Sequence, residues 1–459
     1  MDPSPSLIDR FNNWLKESVM IKLLSIGFLI LLLLIPSAWI QSLMEERQAR
    51  SREVISEISS KWSNGQTLVG PVLVVPFTKI EKTKRWEKNV LVEEVSETVE
   101  RAFFLPDQLL ISGSLHPHVR HRGIFDAVVY DAELEMKATF GPPDFSRWNI
   151  PDGQVHWKDA TLVTGISDLR GISENPLIKS TAKTYLSEPI NHIGVSTQSW
   201  QSADQSTSMQ GVSTALGWQS KADMFDTLTM QFQLKGSETL YIVPVGKTTE
   251  VNLKGSWPSP SFEGSLLPSQ EPVISESDFS ARWKVLSFNR PFAQQWLNQE
   301  QHLGGSSFGV RLDLPADQYQ KSIRTAKYGQ LIIILAFTAL FLVEIAGRVR
   351  IHPFQYILVG FALIIYYTLL LSISEHFGFD RAYGLASVST ITLVGLYSVT
   401  FLQKRALVLL FSLLMCVFYG FIFVIVQAQD YSLLIGSVGL FLIVAAMMYF
   451  SRTIKWYRD

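Results

Sequence analysis

Apolar residues follow different rules in different parts of this chain. From Leu23 to Leu43 the sequence reads LLSIGFLILLLLIPSAWIQSL, with no charged residue, after Lys16 and Lys22. Such a run is about long enough to cross the ~30 Å hydrocarbon layer of a bilayer. A cleaved signal peptide has a shorter apolar core and a small-x-small cleavage site. Pro36-Ser37-Ala38-Trp39 offers no such pattern, so an uncleaved signal-anchor helix is expected over 23–43, after a short N-terminus at 1–22. Comparable runs return only after residue 325, at Tyr328–Ala346, Pro353–Ile373, Ala382–Leu402, Ala406–Val426 and Tyr431–Phe450. These predict a five-helix transmembrane bundle over 328–450, followed by a tail at 451–459.

Between the apolar blocks the period changes. Val54, Ile55, Ile58 and Trp62 recur at helical spacing, so a helix is expected to leave the bilayer there. After Gly65 the pattern turns to strands. GPVLVVPFTKI and NVLVEEVSETV bracket the charged stretch EKTKRWEK, which predicts a hairpin with a long polar tip. From Asp131 to Phe140 apolar and polar residues alternate strictly, as in a half-buried strand. AELEMKATFGPPDF at 132–145 aligns without gaps on TEVNLKGSWPSPSF at 249–262. Residues 45–325 are therefore expected to form a β-rich extracytoplasmic domain of two tandem sandwich-like units, at about 66–190 and 220–310. The Ser-, Thr- and Gln-rich stretch 194–217 reads as a loop between them.

Charge orients this arrangement. Arg348, Arg350, Lys404, Arg405, Arg452, Lys455 and Arg458 flank alternate spans on one side, whereas SISEHFGFD and QAQD on the other side lack such clusters. The positive-inside rule then places both termini in the cytoplasm and 45–325 across the membrane. The basic residues near 47–52 and 321–327 run against it, but long translocated domains are largely exempt. A formal net charge of −1 gives no attraction to nucleic acid, and the lone Cys416, inside an apolar run, excludes an intrachain disulfide.

Candidate chemistry is sparse. Three of the eight histidines, His116, His118 and His121, fall in HPHVRH beside Arg120 and Arg122. Aligned on QLKGSE of the second copy, they read as a solvated hairpin turn in preference to a metal site. Asp168 and Arg170 in DLRG read as an ion pair at a strand end, or as a recognition pair for a polar envelope ligand. Glu375 and His376 lie at a membrane boundary, where a histidine can change charge with pH. Glu344 stands four residues before Arg348, the spacing of a helical ion pair. No phosphate loop, nucleophile elbow, metalloprotease helix or dinucleotide fingerprint occurs, so no catalytic residue, cofactor or metal is assigned.

With these segments in view the chain resembles the CreD inner-membrane proteins, also called cell envelope integrity proteins. The resemblance runs over nearly the whole length. It is carried by KWSNGQTLVGPVLVVPF, RHRGIFDAVVY, SDLRGI, GSWPSPSFEGSLLP and FSARWKV. It is strongest from AKYGQLIIILAFTALFLVEI through RIHPFQYILVGFALIIYYTLLLSISEHFGF. It implies a Gram-negative inner-membrane protein, controlled by the CreBC two-component system and linked to colicin tolerance and envelope stress, with no known catalytic residues. The expected partners are the lipid bilayer and an envelope protein, peptidoglycan or a lipid ligand. The alternative is a transporter or flippase-like protein, which would need Glu344, Glu375 and His376 to act together in the bundle.

Overall fold

The computed structural model describes residues 19–87, 90–180, 183–198, 206–224, 227–298, 301–314, 318–428 and 431–452. Two compact units emerge. One comprises Met1–Glu53 with Ala316–Asp459, and the other Val54–Pro315.

The β unit is built on two large sheets. The first runs Pro260–Gly264, Phe308–Leu312, Thr239–Val243, Gln66–Glu87, Thr161–Ile166, Gly211–Ala215, Ser187–Ile190, and Val90–Phe104 and Gln295–Leu297 extend it from the 66–87 strand. The second runs Val273–Ile274, Phe279–Leu286, Thr248–Gly255, Gln108–Arg122, Phe125–Thr139, Thr227–Ser237, Leu177–Lys179, Thr184–Tyr185. Alternation dictates which face each strand buries. On 125–139, Ala132, Leu134, Met136 and Ala138 point inward and are essentially fully buried. Each large apolar side chain removed from water in this way stabilises the fold by about 1.5–3 kcal/mol. The two inner faces share one core: Trp283 of the second sheet lies 5.4 Å from Phe308 of the first and 5.8 Å from Phe262. This is a sandwich of two sheets.

The expected hairpin is present, with 66–87 and 90–104 paired antiparallel from Leu73↔Phe104 to Glu87↔Val90. Of the polar stretch, residues 81–87 belong to the first strand itself, and 88 lies outside the described residues. The expected tandem arrangement is corrected. Each sheet takes strands from both halves of the chain: 239–243 lies parallel to the start of 66–87, and 248–255 lies parallel to 108–122. The strands that carry HPHVRH and QLKGSE also differ in setting. Strand 108–122 folds back on 125–139 through Gly123, at φ 64°, whereas 227–237 ends at Glu238, at φ 59°, and the chain crosses to the first sheet. A period of two shared by all half-buried strands is enough to produce such a likeness. The stretch 194–217 is corrected as well. Residues 199–205 lie outside the described residues, but 195–198, 206–208 and 211–215 are strands, and 211–215 is internal to the first sheet.

The other unit is helical. Helix α1 spans Val19–Trp62, so its last turns belong to the β unit. Then come α2 (Gln318–Lys327), α3 (Gly329–Gly347), α4 (Pro353–Phe377), α5 (Phe379–Leu402), α6 (Arg405–Gln427) and α7 (Ser432–Ser451). Six of these, all but α2, are long and apolar enough to cross a membrane. Helix α2 is too polar on average to be read as membrane-associated from composition, yet it buries Tyr319, Ser322, Thr325 and Ala326. The helical unit therefore resumes at Ala316, where the sequence placed the change near 325. Helix α1 packs on α4 at Gly360, where an added Cβ would come within 2.3 Å of Leu33. Helix α7 buries none of its span, as expected where the surrounding solvent is lipid.

Candidate functional site

Four of the six residues singled out in the sequence, Arg120, Arg122, Asp168 and Arg170, converge on one place: the end of α1, seated on the outer face of the second sheet. An α-helix leaves its last carbonyls without intrahelical partners. Here Arg170 supplies one, donating from Nη1 to the Ser60 carbonyl at 2.8 Å. The same guanidinium grips Asp168 with two nitrogens, Nε at 2.9 Å and Nη2 at 2.6 Å. Asp168 also accepts from the Asn64 backbone N–H at 3.1 Å, the first turn of chain beyond the helix. The Arg170 hydrogen bonds, then those from the backbone of Asn64 and Arg170, hold the Asp168 carboxyl below the usual range against the opposing effect of its burial.

Beneath this latch lies Gln66, fully buried at the start of its strand. Its amide nitrogen donates to Ser63 Oγ, the Asp168 carbonyl and the Lys235 carbonyl at 2.8, 2.9 and 3.0 Å. Ser237 Oγ donates to the Ser63 carbonyl at 2.6 Å. Gly171 is required by close approach, since a Cβ there would come within 2.4 Å of the Lys235 carbonyl oxygen. Ala127 and Val129, which face outward by register, are nevertheless fully buried at this seat.

The aromatic contact is Trp62. Arg120 and Lys235 each lie 4.7 Å from its ring centroid, and His118 meets it edge-on at 5.5 Å. One cation–π contact of this kind contributes about 0.5–1 kcal/mol at an exposed site. Arg122 pairs with Glu57 one turn earlier, and Lys61 with the same carboxylate at 2.7 Å. Both bonds, Lys61 first, lower the Glu57 pKa.

Asp168 and Arg170 form an ion pair just past the end of strand 161–166, and the carboxylate, only 10% exposed, is also built into the helix terminus. One reading of the sequence is corrected here. The histidines are not all in a turn: His116 and His118 lie in the body of the strand and only His121, paired with Asp126 at 2.6 Å, adjoins the turn. Copy-to-copy alignment misplaced them because the second copy bends at Glu238 while the first runs on to Arg122. Trp62 was legible as a helical apolar position, but its cationic partners were not. Gln66 had one signal, a polar residue directly before an apolar strand.

Glu375 and His376 are adjacent but take no part in one cluster. Glu375 accepts from Tyr319 at 3.1 Å, and His376 is exposed. Glu344 is buried and pairs with Lys22, not with Arg348. It also accepts from the Ile351 backbone N–H at 2.8 Å and Tyr356 at 2.9 Å. The helix ends at Gly347 and Arg348 turns left-handed, at φ 51°, which removes it from the i, i+4 position. The three groups that a transport path would require share no contact among the described residues. Among those residues no group of three or more His, Cys, Asp or Glu is arranged to hold a metal ion.

The family described as "Inner membrane protein CreD" matches residues 18–457. A curated relative of that description from Escherichia coli (strain K12) is 32% identical over 452 residues, which cover 96% of this chain and 95% of the relative. A match of this extent takes in both the β unit with its helix seat and the apolar helices, and the chain belongs to the CreD family of inner membrane proteins.

Proposed function

We propose that this chain is a non-enzymatic inner-membrane protein supporting cell envelope integrity, with tolerance of envelope stress and colicins as the family resemblance implies. Both termini are cytoplasmic, and residues 45–325 lie in the periplasm, where the β unit binds an envelope protein, peptidoglycan or a lipid. Support for this orientation comes from the basic residues at the short connections, Arg348, Arg350, Lys404 and Arg405.

One observation carries the reading. The charged residues that stand out in the β unit are spent on holding the end of a membrane-anchoring helix against a sheet. That is the construction of a mechanical joint. It ties the last turns of α1, which belong to the β unit, to the face of its own sheet through polar contacts.

The test uses the full-length chain in its host bacterium and in lipid nanodiscs. Wild-type nanodiscs should co-sediment with purified sacculi or with envelope-lipid vesicles. Cells carrying Trp62→Ala with Arg170→Ala should lose resistance to detergent and bile-salt stress while the chain still inserts in the membrane. Unchanged resistance, together with no co-sedimentation, would overturn the proposal.

A further inference from the structure

The outer face of the second sheet holds more than the helix seat. Farther along the same strands is a groove of about 570 Å³, within the ~300–1,000 Å³ range of ligand pockets. Its shape follows from side-chain length. Ser112 and Ser114, on the central 108–122 strand, are short and leave a trough. Longer side chains stand on either side: Glu133 and Glu135 on 125–139, Asn252 and Lys254 on 248–255.

The two walls carry opposite charge. Lys254 pairs in register with Ser114, and Ser114 with Glu133, so the three form one row across the sheet. Glu133 and Lys254 are thus two strand spacings apart, roughly 10 Å between their Cα atoms. Three charged residues beside the groove are occupied: Glu135 by Lys137 at 2.7 Å, Arg282 by Asn252 at 2.7 Å, Glu250 by Lys284 at 2.9 Å. Glu133 and Lys254 have no ion-pair partner among the described residues. Between and beside them the groove offers hydroxyls, and the amides of Gln231 and Gln233.

We infer that this groove is a binding site for a short extended peptide carrying a free amine and a free carboxylate. The inference rests on the proposed role of the β unit as an envelope-binding platform and names its ligand class. The amine meets Glu133, and the carboxylate meets Lys254. Side-chain amides donate and accept at once, which matches the N–H and C=O groups of a peptide between its charged ends. A phosphate-bearing lipid headgroup is the poorer fit, because a single lysine lines the groove and phosphate recognition draws on clustered cations.

The test is calorimetric titration of the full-length chain in nanodiscs with the tripeptide Ala-Lys-Ala, its termini free. The same peptide acetylated on both amines and amidated at its end is the control. Wild type should bind the free peptide and not the blocked one. Glu133→Lys and Lys254→Glu should each weaken binding by about tenfold, the equivalent of one charge-assisted contact. The double exchange should restore it, since the charges are then swapped and the peptide can lie in the opposite direction. Both substitutions are on solvent-facing positions, and unchanged thermal unfolding shows that the sheet is intact. Binding that ignores the two single variants, or no binding of the tripeptide, overturns the site. So does retention of phosphatidylethanolamine vesicles in place of the peptide. Co-sedimentation with sacculi is measured in parallel on the wild type. Its persistence in either case leaves the wider reading standing while the groove is rejected.

Discussion

The β unit and the helical unit each contain a buried carboxylate, and they make opposite use of sequence distance. Asp168 is neutralised by Arg170, two residues away, and caps the end of α1 through Asn64. Glu344 is neutralised by Lys22, 322 positions away, and caps the turn before α4 through the Ile351 N–H. Both acids do the same physical work, satisfying a backbone donor at a helix boundary while a base cancels their charge. The solvated sheet can draw that base from its own loop. The helical unit must draw it from another helix, because a lone charge in hydrocarbon costs several kcal/mol. A close pair is therefore a local device, and a distant pair ties the first helix to the rest of its unit.

The largest effect should come from breaking the distant pair. Lys22→Met leaves Glu344 buried and uncompensated, and should destabilise the helical unit by about 3–5 kcal/mol. Adding Glu344→Gln should recover most of this loss, since the amide oxygen still accepts from the Ile351 N–H and the amide NH2 can donate to the Tyr356 hydroxyl. Thermal unfolding of the full chain in detergent reads both variants; equal damage in the single and double variants would show that the pair is not what ties α1 in. Next is Gln66→Leu, which removes the Gln66 donor from the Lys235 carbonyl and the Gln66 acceptor from the Asp168 N–H, and should cost about 1–3 kcal/mol. Trp62→Ala should cost about 1–2 kcal/mol through two lost cation–π contacts. Faster hydrogen exchange over 58–66 should follow in both.

Acid sharpens the comparison further. The Asp168 pKa is lowered in the folded chain. Its unfolded value is near 3.9, so its stabilisation is complete above about pH 4 and is lost as pH falls through the folded value. Exchange at Asn64 should accelerate over that acid range, and Asp168→Asn should abolish the pH step. The smallest effect belongs to Arg122→Ala. It removes a solvated pair with Glu57, and the unfolding midpoint should not move measurably; a clear drop would mean that the outer ion pair matters more than the Trp62 cage.

Much was legible in the chain. The six apolar spans, the strict alternation at 131–140 and the 66–104 hairpin all reflect periodicity, which is local. Arg120, Arg122, Asp168 and Arg170 stood out as charges amid strands, and they do assemble. Their common partner did not show, because an interaction between Arg170 and the Ser60 carbonyl leaves no trace in side-chain type. The same limit explains Glu344, for which the nearest arginine in sequence was the wrong partner.

What the sequence by itself determined is therefore the class of each segment: anchor, strands, spans and their polarity, since hydrophobic period and run length act residue by residue. Only the tertiary structure decided which strands are neighbours. Half-buried strands share one alternating pattern, so sequence cannot distinguish two successive sandwiches from two sheets that interleave both halves. Pairing 240–243 with 66–69 and 248–255 with 108–115 settles it, and the same interleaving brings Lys254 into one row with Glu133 across Ser114, and Lys235 against Trp62.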